Sequence, residues 1–153
     1  MISKDREKIR DSFNKIKDDE NNIHLKNKLL SICPQETQIS KFQEIKFKKK
    51  LSIINAILNR KLFKKKITKI PKSEKIVFYN FLENSLTDKN LLHSHSIMRI
   101  PRKFLHMLKE IIQRLIDIVK EKFQFDISIS YRRNAITYCT KNFDENNDRF
   151  YVC

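Results

Sequence analysis

The side chains with the most chemistry to offer are His93 and His95 on either side of Ser94, the cysteines Cys33, Cys139 and Cys153, and the acid pairs Asp18-Asp19 and Asp144-Glu145. Structural zinc sites pair their ligands as C-x2–4-C or H-x3–5-H. His93 and His95 are two apart and the cysteines are scattered, so no metal is expected here. The acid pairs lie among hydrophilic residues, where desolvation cannot lift a carboxyl into the acid–base range. Cys139 becomes a nucleophile only if the fold brings a histidine beside it, and a buried structural thiol is the ordinary role of such a residue. His24 and His106 read as polar-face residues. No catalytic residue, metal ligand or cofactor is assigned, and the expected protein is not an enzyme.

Glycine is absent from the 153 residues. Phosphate-cradling loops, nucleophile elbows and dinucleotide fingerprints depend on glycine, so their usual forms are excluded. An odd number of widely spaced cysteines makes no disulfide framework. The N-terminus lacks the apolar core of a signal peptide, and no apolar stretch approaches the roughly 20 residues that span a bilayer. A cytoplasmic protein with no membrane partner is expected.

Charge is the strongest signal. The net charge is +15, and residues 41–75 alone hold 13 basic and 2 acidic side chains, or +11. Cations packed this densely repel one another unless a polyanion neutralises them. Each lysine that meets a phosphate also releases condensed counterions. Lysine outnumbers arginine 24 to 9, which favours point-charge contacts to backbone phosphates over bidentate reading of bases. The expected RNA-binding residues are Lys46, Lys48, Lys49, Lys50, Arg60, Lys61, Lys64, Lys65, Lys66, Lys69 and Lys72. Arg132 and Arg133, beside Tyr131 at a predicted hairpin tip, join them through charge and stacking. Phe78, Tyr79 and Phe81 read as core.

The elements that would carry these residues are predicted as follows. Ile2, Ile9, Ile16, Ile23 and Leu30 recur every seven residues, which predicts a long N-terminal helix ending at Cys33-Pro34. Leu51, Ile54, Leu58 and Leu62 share one face of a helix over about 50–66. The run 75–82 fits a helix capped by Ser73 or a strand, with helix preferred. Pro101 opens a core helix over 101–123, marked by Phe104, Leu108, Ile111, Leu115 and Val119. Alternation over 125–131 predicts a strand, and 135–140 and 149–152 are further strand candidates.

The expected fold is thus α+β and predominantly α-helical: a long N-terminal helix and a basic helical segment, then a core helix packed on a small antiparallel β-meander. Residues 1–75 would form an extended, helical RNA-contacting region and residues 76–153 a small α+β domain. The expected function is non-catalytic binding of RNA in a ribonucleoprotein particle, most simply the ribosome, as an integral protein or a dormancy factor. Its partners would be ribosomal RNA and ribosomal proteins, with no small-molecule substrate. The alternatives are a protein-interaction adaptor, cellular or viral, that pairs its Ile2–Leu30 stripe with a partner helix, and a DNA-binding protein. No family is recognised in these motifs.

Overall fold

Strand Leu92–Pro101 organises the molecule, because it is the one to which most of the other strands attach. A computed structural model describes residues 7, 8, 11, 20–34, 41–65, 67–84, 92–133, 135–140 and 150–153. In chain order the elements are β1 (Asn22–His24), β2 (Lys28–Cys33), α1 (Lys41–Phe63), β3 (Val77–Asn84), β4 (Leu92–Pro101), α2 (Leu108–Asp117), β5 (Asp126–Tyr131), α3 (Ala135–Cys139) and β6 (Phe150–Val152). The strands form one six-stranded sheet in the order β5-β2-β4-β3-β6, with β1 also paired to β4. Every pairing is antiparallel. β1 and β2 run along the same edge of β4, separated by a tight turn at Leu25–Asn27 in which the Leu25 N–H donates to the Met98 carbonyl.

The sheet is covered on both faces. Leu30, Ile32, Phe78, Leu82, Met98 and Ile100 point to one side, where Phe47, Leu51, Ile54 and Leu58 of α1 and Ile111 and Leu115 of α2 complete the main core. Leu29, Phe81 and Ile97 point to the other side and meet Ala135, Ile136 and Cys139 of α3 in a smaller core. Two buried asparagines tie α1 to the start of β3. Asn59 accepts from the Ile76 N–H at 2.8 Å and donates to its carbonyl at 3.1 Å, while Asn55 donates to the same carbonyl. Buried backbone groups need such partners wherever the ladder has not yet begun.

This architecture corrects the expected one. The protein is built on a sheet and is not predominantly helical with a small meander. Ile23 and Leu30, two members of the heptad series, lie in β1 and β2, so the expected long N-terminal helix does not extend over 22–33. Ile2, Ile9 and Ile16 lie outside the described residues. The expected helical region 1–75 therefore contributes two strands to the same sheet that residues 76–153 complete.

Individual elements change too. The run at 75–82 is strand β3, paired on both sides by β4 and β6, in keeping with its aromatic and β-branched content. Residues 135–140, expected as a strand, form α3, because Ile136 and Cys139 are buried while Thr137 is exposed, a helical spacing. The basic helix is longer than expected and starts at Lys41, since Phe47 extends the Leu51–Ile54–Leu58 stripe by one turn. The core helix is present, but its first turns are 3-10 (Arg102–Met107) and its last turn is π (Ile118–Lys122). Strands at 126–131 and 150–152 agree with expectation.

Candidate metal centre

β3 and β4 are antiparallel neighbours in a register that sets Glu83 opposite His93 and Phe81 opposite His95. Side chains alternate across a strand, so His93 and His95 share a face, and the register puts Glu83 on it as well. It is the face covered by α3, not the one covered by α1 and α2. The three side chains converge there. Glu83 Oε1 lies 2.9 Å from His93 Nε2 and 2.7 Å from His95 Nε2, and the two Nε2 atoms are 3.1 Å apart. Glu83 and His95 are 7% and 6% exposed, so the carboxylate must be neutralised locally: a buried charge without a partner is strongly unfavourable.

Two arrangements satisfy it. In one, both imidazoles donate from Nε2 to a single carboxylate oxygen, with two N–H groups crowded side by side. In the other, one cation takes a lone pair from each of the three atoms. At metal–ligand bonds of 2.0–2.1 Å, adjacent donors stand about 2.9 Å apart in an octahedron and about 3.3 Å apart in a tetrahedron. The observed 2.7–3.1 Å separations fit the three donors of one face of an octahedron. Two imidazoles and a carboxylate form a borderline donor set, suited to manganese, iron, cobalt or zinc.

His95 is also held from behind. Its Nδ1 lies 2.9 Å from Ser31 Oγ on β2, the strand paired to β4 on the other side. With Nδ1–H donating to the serine oxygen, the lone pair is left on Nε2, the side that faces Glu83. Metal-binding histidines are characteristically fixed this way through their second nitrogen. The Tyr138 ring of α3 packs edge-on against the His95 imidazole, centroid to centroid 4.9 Å. The Arg132 guanidinium then lies 3.9 Å from the centre of the Tyr138 ring. A cation–phenol–imidazole stack thus stands beside the three ligands, and His93 and Tyr138 are only half-buried.

The residues expected to bind RNA fall elsewhere, with one exception. Lys46, Lys48, Lys49, Lys50, Arg60 and Lys61 are on α1, Lys64 and Lys65 follow it, and Lys69 and Lys72 occupy short 3-10 turns. Lys66 lies outside the described residues. Lys48 and Lys50 are half-buried, their ammonium groups 5.9 Å from the Tyr151 ring and 5.3 Å from the Phe125 ring. Those on α1 lie on the helix that packs against the opposite side of the sheet from Glu83, His93 and His95. Arg132 is the exception, and Arg133 beside it is exposed.

Sequence reasoning missed Glu83, Ser31 and Tyr138 altogether. It set His93 and His95 aside because their spacing is not that of paired zinc ligands and the cysteines are scattered. The available signal was that a spacing of two is the one at which a strand aligns two side chains. No family model, no curated protein and no solved structure matches this chain.

Proposed function

We propose that this protein is a divalent-metal-dependent enzyme acting on phosphodiesters of a nucleic-acid strand, with Tyr138 as nucleophile. The observation that carries the reading is the convergence of Glu83, His93 and His95 to within 2.7–3.1 Å of one another, next to the Tyr138 ring. The net charge of +15 supports a polyanionic substrate. The same donor set also serves iron oxygenases; the basic charge and the adjoining tyrosine and arginine favour phosphate.

The chemistry follows from the parts. Glu83, His93 and His95 would hold the cation, which would supply Lewis-acid stabilisation of the charge that grows on the phosphate. The Tyr138 phenol oxygen attacks phosphorus, forming a P–O bond to tyrosine while the P–O bond to one sugar oxygen breaks. The phenolic proton leaves to solvent or a base, and an equivalent proton reaches the departing sugar hydroxyl. The product is a strand joined to the enzyme as a phosphotyrosine diester, formed with no oxidant or second substrate. Arg132 and Arg133 supply positive charge for the flanking phosphates. A cytoplasmic setting fits the three cysteines, none of them in a disulfide.

The test combines metal titration with adduct detection. Cobalt(II) added to the wild-type protein should give a stoichiometric absorption change that Glu83→Ala and His95→Ala abolish. Incubated with manganese or magnesium, end-labelled single-stranded DNA or RNA should yield a protein-linked product that survives denaturant. Tyr138→Phe should lose the product and keep the cobalt signal. No cobalt binding by the folded wild-type protein, or an adduct that persists in Tyr138→Phe, would overturn the reading.

A non-catalytic RNA-binding protein of the ribosome is the second reading, supported by the exposed cations of α1 and the turn after it. It predicts co-sedimentation with ribosomal particles that RNase abolishes and that Glu83→Ala leaves intact.

A further inference from the structure

We infer that two copies of this chain join through strand β5 into one continuous sheet, with Asp126 of each copy facing Arg132 of the other. Among the described residues β5 is paired on one side only, by β2, and stands at the end of the sheet. An edge strand offers a row of unpaired backbone groups, which proteins blunt with proline, lysine, bulges or a very short strand. Strand Asp126–Tyr131 has no proline and no lysine, and it pairs with β2 in unbroken register over all 6 residues. Asp126, Ser128, Ser130 and Tyr131 are exposed along it.

The backbone fixes which groups are on offer. The Arg132 N–H donates to the carbonyl of Asn27, the residue directly across from it. Bonded and non-bonded positions alternate along an antiparallel pair, so Ser130, Ser128 and Asp126 also turn their backbone toward β2. The N–H and C=O of Ile127, Ile129 and Tyr131 therefore point out of the sheet. A second β5 laid antiparallel must set these residues against their own counterparts. Centring the pair on Ile129 uses all of them: Ile129 meets Ile129, and Ile127 meets Tyr131.

The side chains agree with that register. Asp126 stands opposite Arg132 and Ser128 opposite Ser130, at the non-bonded positions where side chains approach most closely. These residues lie on the face of His95, since Ser128 is paired with Ser31, whose hydroxyl meets that imidazole. On the other face Tyr131, 72% exposed, covers Ile127 of the second copy. Moving the centre to Ser128 or Ser130 loses the charge pairing and runs an outward residue past the end of the other strand. A two-fold contact of this kind closes on itself. An extended peptide of another protein would find the same backbone edge, but the match of Asp126 to Arg132 selects a second copy.

The inference does not rest on the metal chemistry. Each copy carries +15, so the full chain is studied at about 0.3 M salt, where the Debye length of about 6 Å screens that repulsion. Sedimentation equilibrium should show a dimer whose fraction rises with protein concentration. Asp126→Arg and Arg132→Asp should each weaken it about tenfold or more, with circular dichroism confirming that both are folded. Mixed in equal amounts, the two variants should recover a dimer, because every arginine at these positions then faces an aspartate. In the wild type, amide exchange at Ile127, Ile129 and Tyr131 should slow as concentration rises, while Ser128 and Ser130 stay unchanged. That pattern needs no variant and decides the matter if either substitution unfolds the chain. A monomer at every concentration, a dimer indifferent to both reversals, or variants that stay apart when mixed would overturn the inference.

Discussion

Ser31 decides what His95 can do. If its oxygen accepts the Nδ1 proton, the imidazole presents a lone pair to the carboxylate side; without that anchor the ring can turn or change tautomer. Ser31→Ala should therefore weaken cobalt binding about 10- to 100-fold while the melting transition is nearly unmoved, a pair of measurements that separates orientation from folding. Cys153 presents a different case. Burial pushes its thiol from 9.0 up to about 11, against weaker opposing effects from Asn80, Lys75 and Ser52. The folded state then holds that proton more tightly than the unfolded chain, so stability is full below pH 9 and falls as pH rises toward 11. Denaturant midpoints across pH 8–11 should show this decline, and Cys153→Ser should flatten it.

Elements end here without glycine. Lys64 and Gln124, each just past a helix, both have φ of 55°, the left-handed region in which a Cβ costs roughly 1–2 kcal/mol. Gln124→Gly should raise stability by about 1 kcal/mol, read as a higher denaturant midpoint. The opposite effect is expected of Asn59→Leu, which leaves the buried Ile76 N–H without its partner while the Ile76 carbonyl keeps Asn55. A loss of about 2–3 kcal/mol should follow, and a loss below 0.5 kcal/mol would show that water replaces the amide. The same scale explains what was legible beforehand. α1 and α2 bury one stripe and expose the rest, so their spacing announced them. β4 is buried on both faces and carries Ser94 and Ser96 inside, bonded within the Asn80 network; it has no amphipathic alternation to read. The five residues of α3 are too few to show a helical period.

At the scale of the whole molecule, the sheet is a partition. Its one side, under α1 and α2, carries most of the apolar core and the basic helix; its other side carries Glu83, His93, His95 and Tyr138 under a thin cover from α3. Charge reversal on α1 and alanine at Glu83 are therefore expected to act on different measurements. Among the described residues no helix is long and apolar enough to cross a membrane.

Composition alone determined the basic character of the protein and the concentration of that charge in residues 41–75. It also excluded the usual glycine-dependent nucleotide loops, and apolar spacing announced the two helices that close the main core. Those properties are local: they follow from residue counts and from spacings within a few turns of chain. The candidate metal site was decided by tertiary structure. Ser31, Glu83, His95 and Tyr138 come from three strands and a short helix, and strand register is set by pairing between distant segments. A one-residue slip between β3 and β4 would turn Glu83 to the other face and dissolve the site. No spacing within the chain records that register.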